Sequence, residues 1–386
     1  MIDVVIAGLG ETVVGEHWDV SLRELAYKAM DLAQQDAGGL RPQALYVGNM
    51  LAPIVSGQAH IGTLLADFAG LRGIEAQTVE AGGASGGAAL RLGYLAVKSG
   101  LLDVVMVVGV EKTTDRISAD IEAAITTTMD SDYEAIHGLT SAAQGAMLMR
   151  RYMVEFGVPR QAFAGFPLVA HANGVGNPNA MFRRAIKSTL YERAGYISTP
   201  LNMFDVAPDA DGAAALILTR RELLPTEFTH PLVRIIGSSM VTDSLALHDR
   251  EDPLDFRSVR LSVERACSQA GLAHSEMDFL ELFDLFSIYA ALTLEAGGFA
   301  ERGKGWQLAE NRNIALDGAI PISTMGGLKA RGNPWGATGI YQAIEAVLQL
   351  RGSAGENQIP NARRGMIQCL GGPAATAVTH ILELVN

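Results

Sequence analysis

The sequence predicts an α/β fold made of two halves of similar order, and three observations support this. Short apolar runs without polar alternation, such as 44–48 and 103–110, are typical of strands buried on both faces. Segments with helical spacing of apolar residues separate these runs, which favours right-handed crossovers within one sheet. The order of glycine-rich turn, helix and strand occurs twice, at 82–110 and at 326–370. We therefore predict an internal duplication, although few residues are identical between the halves.

The predicted elements follow this order along the chain. In the first half the apolar runs predict strands at 2–9, 44–48, 103–110 and 211–219, and helices at 22–37 and within 80–100. In the second half they predict strands at 233–237, 279–282 and 365–370, and helices at 258–270, from Ser287 onward and at 339–352. Residues 111–200 break the pattern, and we interpret them as a long insertion over a site. We place the boundary near 221–230, giving an N-terminal half of 1–225, with a loop domain at about 115–200, and a C-terminal half of 226–386.

Composition excludes several classes of protein. Hydrophobic residues make up 48% of the chain and charged residues 19%, which excludes a disordered chain. The formal charge of −12 argues against general nucleic-acid binding, which needs basic surface. No run of 18 apolar residues occurs, so no membrane span is expected. Asp3 stands where a signal peptide carries positive charge, so no secretory signal is expected either. Cys267 and Cys369 are too few for a disulfide framework or a structural metal site, and they fit a cytoplasmic setting.

The first glycine-rich turn, 80–87, lies between a strand-like segment and a helix. Helix N-termini present free N–H groups and therefore bind anions or stabilise oxyanions. The alternative, that the glycines only permit close packing of helix on sheet, is favoured on shape alone. The turn is neither a dinucleotide fingerprint nor a P-loop, because the required glycine spacing and Gly-Lys-Ser/Thr sequence are missing.

Two further positions carry side chains with possible chemistry. Asn333 lies between Gly332 and Pro334, and its amide could donate to a substrate carbonyl, although Asn is also common in turns for its geometry. Cys369 ends a predicted strand before Gly371 and Gly372. Its thiol could act as a nucleophile or a base if its pKa were lowered, whereas most lone cysteines in strands are buried and inert.

Seven stretches in the same order resemble the thiolase family over nearly the whole chain. They are 79–86, 107–112, 177–184 (Asn-Pro-Asn-Ala-Met-Phe-Arg-Arg), 200–205, 211–215, 326–332 (Gly-Gly-Leu-Lys-Ala-Arg-Gly) and 371–372. The chain is most similar to sterol carrier protein thiolases and to acetyl-CoA acetyltransferases that pair with a zinc-ribbon OB-fold protein. The resemblance implies a five-layered αβαβα fold from two βαβαβαββ halves, usually a homodimer. It also implies a coenzyme A thioester as substrate, no bound cofactor, and a place in lipid metabolism.

The residues that carry the chemistry of the family are mostly replaced. The nucleophilic Cys of the family corresponds to Gly83, so no acyl-enzyme can form there. The Gly-His-Pro histidine corresponds to Asn333, and the His-Asp-x-Phe histidine to Phe283; neither is a base near neutral pH. The Cys-x-Gly motif is kept as Cys369-Leu370-Gly371. Aldolases of this fold carry tyrosines that match Phe283 and Asn333, and these are absent as well; we interpret the nearby Tyr289 and Tyr341 as packing residues.

The first hypothesis is an enzyme diverged toward non-covalent carbon–carbon bond chemistry on acyl-CoA thioesters. Backbone N–H groups at Gly83 and near Gly371 would still stabilise an enolate, because they do not depend on the side chain. Asn333 would polarise the carbonyl, and Cys369 would transfer protons. Gly83 would make room for an acyl chain, with Phe283 lining an apolar pocket.

The second hypothesis is a non-catalytic acyl-CoA-binding or scaffold subunit that works with the OB-fold partner or with an active thiolase. Arg183 and Arg184, with Lys187, could contact the phosphates of coenzyme A, or could simply form a solvated helix face. Ser238 and Ser239 match positions where the family contacts the pantetheine arm. A third hypothesis, in which Cys369 replaces the missing nucleophile, is the least favoured because the family uses that cysteine as a base.

Overall fold

The computed structural model describes residues 2–385 as a nine-stranded mixed sheet with helices on both faces, plus a small two-stranded sheet. The first half contains β1 (Val4–Glu11), α1 (Leu22–Asp36), β2 (Ala44–Gly48), α2 (Ala52–Val55), α3 (Ile61–Phe68), β3 (Glu75–Val79), α4 (Ser85–Lys98) and β4 (Val104–Glu111). The insertion contains α5 (Ser118–Thr126), α6 (Ser141–Phe156), α7 (Gly165–Gly174), α8 (Ser188–Arg193), β5 (Tyr196–Ser198) and β6 (Leu201–Asn202), and β7 (Gly212–Arg220) completes the first half. The second half contains β8 (Val233–Thr242), α9 (Arg257–Ala270), β9 (Phe279–Leu282), α10 (Ser287–Ala296), α11 (Gly305–Glu310), α12 (Gly327–Arg331), α13 (Thr338–Arg351), β10 (Arg364–Gly371) and β11 (Thr376–Leu384).

The strand order shows the duplication directly. The sheet runs β3-β2-β4-β7-β1-β8-β11-β10-β9, so that β2-β4-β7-β1 of the first half is mirrored by β8-β11-β10-β9 of the second. The pairings agree as well, since β2 and β4 are parallel, as are β9 and β10, while β7 and β11 are each antiparallel to both neighbours. The halves meet where Val5 of β1 pairs with Arg234 of β8.

The helices form three layers around these strands. Helices α4 and α13 contact strands of both halves and lie in the centre, α1 packs on β1, β4 and β7, and α9 packs on β8 and β11. Three clusters of buried apolar residues pack between the layers of helices and strands. The layering is the five-layered αβαβα arrangement that the resemblance implies.

Most predicted elements are confirmed to within a few residues, and the differences have simple causes. Strand β3 is anticipated only as a strand-like segment before the turn at 80–87, without bounds, because its residues are polar and largely exposed at the sheet edge. Strand β11 is missed because Thr379 and His380 interrupt its apolar run, although both side chains are buried. The insertion has four helices of its own, α5 to α8. The domain boundary near residue 225 stays a prediction.

Between Ile2 and Val385, no helix is both long and apolar enough to cross a bilayer. Within the same range, His, Cys, Asp and Glu side chains form no group of three suited to a metal ion.

A buried cluster of charges lies beneath the second glycine-rich turn. Arg331, which is 1% exposed, forms an ion pair of 2.6 Å with Glu345, and its guanidinium lies 5.3 Å from the ring centre of Tyr341. Glu11, Glu281 and Asp284 complete the cluster. Burial, and then the charge of Glu345, raises the pKa of Glu11 to about 7, against the hydrogen bond from Asn179 and the charge of Arg331. Four carboxyl groups thus share one guanidinium, and burial raises the pKa of each of them.

This cluster makes stability depend on pH. Because the folded-state pKa of Glu11 is raised from 4.5 to about 7, its contribution to the free energy of unfolding is present below pH 4.5 and is lost as the pH rises through 7. Buried His380, whose pKa is lowered from 6.5 to about 4, has the opposite effect below pH 6.5. We therefore expect Glu11→Gln to gain stability relative to wild type as the pH rises from 5 to 8, measured by urea unfolding. A pH-independent difference would contradict the assignment of this proton to Glu11.

Candidate functional site

The first glycine-rich turn and the end of β10 pack backbone against backbone at the N-terminus of α4. Gly82 has φ of +58°, and a Cβ there would lie 3.2 Å from the Cα of Gly371. Ser85 fixes the turn, since its Oγ accepts a hydrogen bond from the Ala81 N–H at 2.9 Å and donates to the Gly82 carbonyl at 2.6 Å. The structure thus brings together Gly83 and Gly371, which lie far apart in sequence.

The ring of Phe283 occupies the space in front of Gly83. A Cβ built on Gly83 would lie 2.4 Å from Phe283 Cζ and 2.8 Å from the carbonyl oxygen of Leu370. The ring is 1% exposed and is fixed in the largest apolar cluster. The expectation that Gly83 makes room for an acyl chain is therefore wrong, because an aromatic ring has taken that space.

Two adjoining cavities lead to the place where Gly83 faces the ring of Phe283. The outer cavity has a volume of about 410 Å³ and is lined by Glu80, Ala81, Gly82, Gly371 and Gly372, among others. The inner cavity has a volume of about 20 Å³, and Gly83, Phe283, Glu134 and Tyr289 are among its lining residues. The two share lining residues Met50, Thr128, Met129, Leu245 and Gly372. A ligand in the outer cavity therefore reaches the N-terminus of α4 beside the inner one.

Asn333 is buried and keeps one free donor. Its Oδ1 accepts hydrogen bonds from the Trp335 N–H at 3.1 Å and from Thr338 Oγ1 at 3.0 Å, which fixes the orientation of the amide. Its Nδ2 is buried and has no partner among residues 2–385. Trp335, two residues further on, lines the inner cavity. Asn333 itself lines neither cavity, and its bond from the Trp335 N–H also fits the turn-geometry role, so the donor role expected for Asn333 stays a prediction.

Cys369 lies away from both cavities. Its thiol is fully buried, donates to Gln342 Oε1 at 3.2 Å, and lies against Gly87 and Gly339 of the two central helices. Burial raises the pKa of the Cys369 thiol to about 12. The expectation that Cys369 transfers protons, or replaces the nucleophile, therefore has no support in the geometry, because a buried neutral thiol reacts poorly.

The residues expected to bind coenzyme A are also not at the cavities. Ser238 and Ser239 are buried in β8, where Arg91 donates to Ser238 Oγ at 3.1 Å, so a pantetheine arm cannot reach them. Arg183 and Arg184 are exposed, and neither lines the inner or the outer cavity. The burial of Ser238 and Ser239 gives their assignment no support, and the assignment of Arg183 and Arg184 stays a prediction.

Two polar residues of the inner cavity are not predicted from the sequence. Glu134 belongs to the insertion, for which no elements are predicted, and Tyr289 lies on α10, where the sequence favours a packing role. That interpretation fits Tyr341, whose hydroxyl donates to the Ala213 carbonyl at 2.9 Å in the core. Tyr289 differs because it lines a cavity. No local sequence signal separates the two tyrosines.

The site thus combines two glycine turns, the N-terminus of α4 and two adjoining cavities. The N-terminal domain model of thiolases matches residues 4–199, and a thiolase C-terminal domain-like model matches residues 239–384. The chain belongs to the thiolase family.

Named relatives and a solved structure agree with this. The chain is 41% identical to an acetyl-CoA acetyltransferase of Methanothermobacter thermautotrophicus, over 99% of this chain and 100% of the relative. It is 30% identical to the benzoylsuccinyl-CoA thiolase subunit BbsB of Thauera aromatica, over 96% of this chain and 94% of the relative. The solved structure of an Ltp2-ChsH2(DUF35) aldolase matches with a TM-score of 0.85 and 23% identity, over 99% of this chain and 98% of that chain, which supports the fold.

Proposed function

We propose that this chain binds acyl-CoA thioesters and makes or breaks a carbon–carbon bond without an acyl-enzyme, by aldol chemistry or its reverse. The observation that carries the proposal is the ring of Phe283 at 2.4 Å from a Cβ on Gly83, beside glycine turns that keep the family arrangement. The nucleophile is replaced, and the cavity that leads to its position remains. A site of this kind can bind a thioester and can stabilise negative charge on its oxygen, but it cannot hold an acyl group covalently at residue 83.

The reverse aldol reaction needs a bound thioester, a donor to its enolate oxygen and a proton transfer. The β-hydroxyl group gives its proton to water, which reaches the site through the outer cavity, and the Cα–Cβ bond breaks to leave a carbonyl compound and a thioester enolate. The enolate then takes a proton from water at Cα. Amide donors at the N-terminus of α4 and near Gly371 would stabilise the enolate oxygen, as oxyanion holes do. The unpaired Nδ2 of Asn333 supports the same role.

The test is product analysis after incubation with β-hydroxyacyl-CoA and β-oxoacyl-CoA thioesters. From the β-hydroxyacyl-CoA we expect a shorter acyl-CoA and an aldehyde or ketone in equal amounts, without added coenzyme A. Asn333→Ala is expected to lower turnover by about 100-fold, the usual loss of one oxyanion donor, whereas Asn311→Ala, at an exposed site, serves as the matched control. Products that require free coenzyme A would indicate ordinary thiolysis and contradict the proposal.

A non-catalytic, acyl-CoA-binding subunit is the second candidate, and the burial of Cys369 favours it. With Cys369 unavailable, none of the family's four chemical side chains can transfer a proton at the site. In the product assay this candidate predicts thioester binding without any product.

We propose further that the chain works as a homodimer in the cytoplasm, in lipid metabolism, and takes a zinc-ribbon OB-fold partner. Strand β3 is a largely exposed edge of the sheet and suits pairing with a second copy. The matched aldolase, Ltp2-ChsH2(DUF35), is named for two proteins, and BbsB is named as a subunit. Light scattering of the chain alone and of the chain mixed with such a partner tests both assemblies.

A further inference from the structure

Tyr289 is a buried phenol that the proposed chemistry does not yet use. It is 1% exposed, and its ring is held edge-on by Phe256 at 5.6 Å and by Phe286 at 5.0 Å between ring centres. Its side chain lines the inner cavity, and its hydroxyl makes no hydrogen bond with any of residues 2–385. The hydroxyl is not one of the enclosed side-chain atoms that lack a partner, so it is open to the cavity, where a water or a ligand group can pair with it.

Glu134 supplies a second polar group to the same cavity. It is 5% exposed, and its Oε1 accepts hydrogen bonds from the Leu247 N–H at 3.0 Å and from Gln144 Nε2 at 3.1 Å. These bonds fix the carboxyl group between the insertion and the second half. A carboxylate accepts about four hydrogen bonds, so capacity remains for a ligand.

The neighbouring charges keep Tyr289 a hydrogen-bond donor beside Glu134, which is an acceptor. Burial raises the pKa of Tyr289 well above its ordinary range, while the charge of Arg250 lowers it and that of Glu134 raises it. The phenol therefore stays protonated and acts as a donor at working pH. Arg250 itself is held by the Pro373 carbonyl at 2.6 Å and by the Ser244 carbonyl, and it offsets the charge of Glu134.

The size and polarity of the inner cavity identify the ligand group. A volume of about 20 Å³ has room for one water-sized group. Tyr289 offers a donor and Glu134 an acceptor to that space, beside the polar lining residues Thr128, Ser141, Gln144 and Trp335. A hydroxyl is a group that can accept from the first and donate to the second. A keto oxygen would pair only with Tyr289, and a methylene would leave both partners unpaired.

We propose that Tyr289 and Glu134 form a specificity site for one hydroxyl group on the acyl chain of the thioester. Gly83 lines the same inner cavity, so the hydroxyl is carried close to the thioester carbonyl, as in a β-hydroxyacyl group. The inference rests on the proposed function, because it names the substrate class of that site. Tyr289 donates to the hydroxyl oxygen, and Glu134 accepts its proton in a hydrogen bond.

The experiment is calorimetric titration of the full chain with three thioesters of one length: β-hydroxyhexanoyl-CoA, β-oxohexanoyl-CoA and hexanoyl-CoA. Wild type is expected to bind the hydroxyl compound at least about tenfold more tightly than hexanoyl-CoA, since sites built to pair a hydroxyl reject analogues that lack it. Tyr289→Phe removes only the hydroxyl group, and is expected to abolish this preference while hexanoyl-CoA binding persists. Tyr133→Phe, the same change at a residue that is 65% exposed, is the matched control.

The outcomes separate the two proposals. If Tyr289→Phe keeps the preference, or if wild type binds all three thioesters equally, the hydroxyl site is wrong and the proposed function stands. If wild type binds none of them, the proposed function fails, and this inference fails with it. Should Tyr289→Phe not fold, Glu134→Gln tests the same preference. Its amide oxygen can still accept the bonds from Leu247 and Gln144, while the extra acceptor capacity and the 3.4 Å bond from the Asp130 N–H to Oε2 are lost.

Discussion

Gly83→Cys is expected to lower the stability of the protein and still to form no acyl-enzyme. The new Cβ would lie 2.4 Å from Phe283 Cζ and 2.8 Å from the Leu370 carbonyl oxygen, distances that real Cβ atoms essentially never show. Overpacking of this kind in a buried region costs about 1–3 kcal/mol. The introduced thiol would also lie against a phenyl ring and would have no base to activate it.

A double-mutant cycle that combines Gly83→Cys with Phe283→His measures the steric clash between the side chains of residues 83 and 283. The five-membered ring of histidine ends short of the Cζ position, so it removes the closest contact. We expect the double variant to lose at least about 1 kcal/mol less than the sum of the two single variants, in urea unfolding. Gly195→Ala is the control, because a Cβ there meets nothing within 4 Å. Additive losses, or acetylation of the single Gly83→Cys variant by acetyl-CoA in intact-protein mass spectrometry, would contradict the role given to Phe283.

Arg331→Met is expected to cost about 3–5 kcal/mol of unfolding free energy, the range for removing one partner of a buried ion pair. Arg331 is the cation that pairs with Glu345 at 2.6 Å, and it also offsets Glu281 and Glu11. Without it, the carboxyl groups of Glu345, Glu281, Asp284 and Glu11 face one another with no guanidinium between them. They will take up protons rather than remain charged, and this is how part of the loss is recovered at low pH.

Arg312→Met is the matched control for this change. Its ion pair with Asp317 is exposed at 76% and 84% of the two side chains, so the expected loss is below about 1 kcal/mol. The difference between the two variants should shrink as the pH falls from 7 to 5. Equal losses at the two arginines would show that the buried cluster does not stabilise the turn above it.

The fold was readable from the sequence because each half repeats one order of apolar runs and glycine turns. Non-alternating runs such as 103–110 are strands buried on both faces, and the structure has β4 there. The sequence also has glycine at position 83, where the resemblance implies a nucleophilic cysteine, because a position in a motif reports which side chain is present. The meeting of Gly83 with Gly371 followed from the resemblance to a known fold.

The sequence did not predict which side chain fills the space in front of Gly83. No spacing rule reports that the Phe283 ring fills the space of a missing side chain, since residues 83 and 283 are brought together only by packing. Ser238, Ser239 and Cys369 are buried because these parts of β8 and β10 are covered on both faces, and that cover comes from helices distant in sequence. Tyr289 and Tyr341 both look like helix-face tyrosines, and only the partner of each hydroxyl separates them.

The central claim is that this thiolase-family chain binds thioesters and forms no covalent intermediate. Intact-protein mass spectrometry, after incubation with acyl-CoA thioesters at concentrations where calorimetry shows binding, tests it directly. The account predicts an unchanged protein mass with every thioester that binds. A mass increment equal to the acyl group, mapped by peptide digestion to Cys369 or to any other residue, would contradict it.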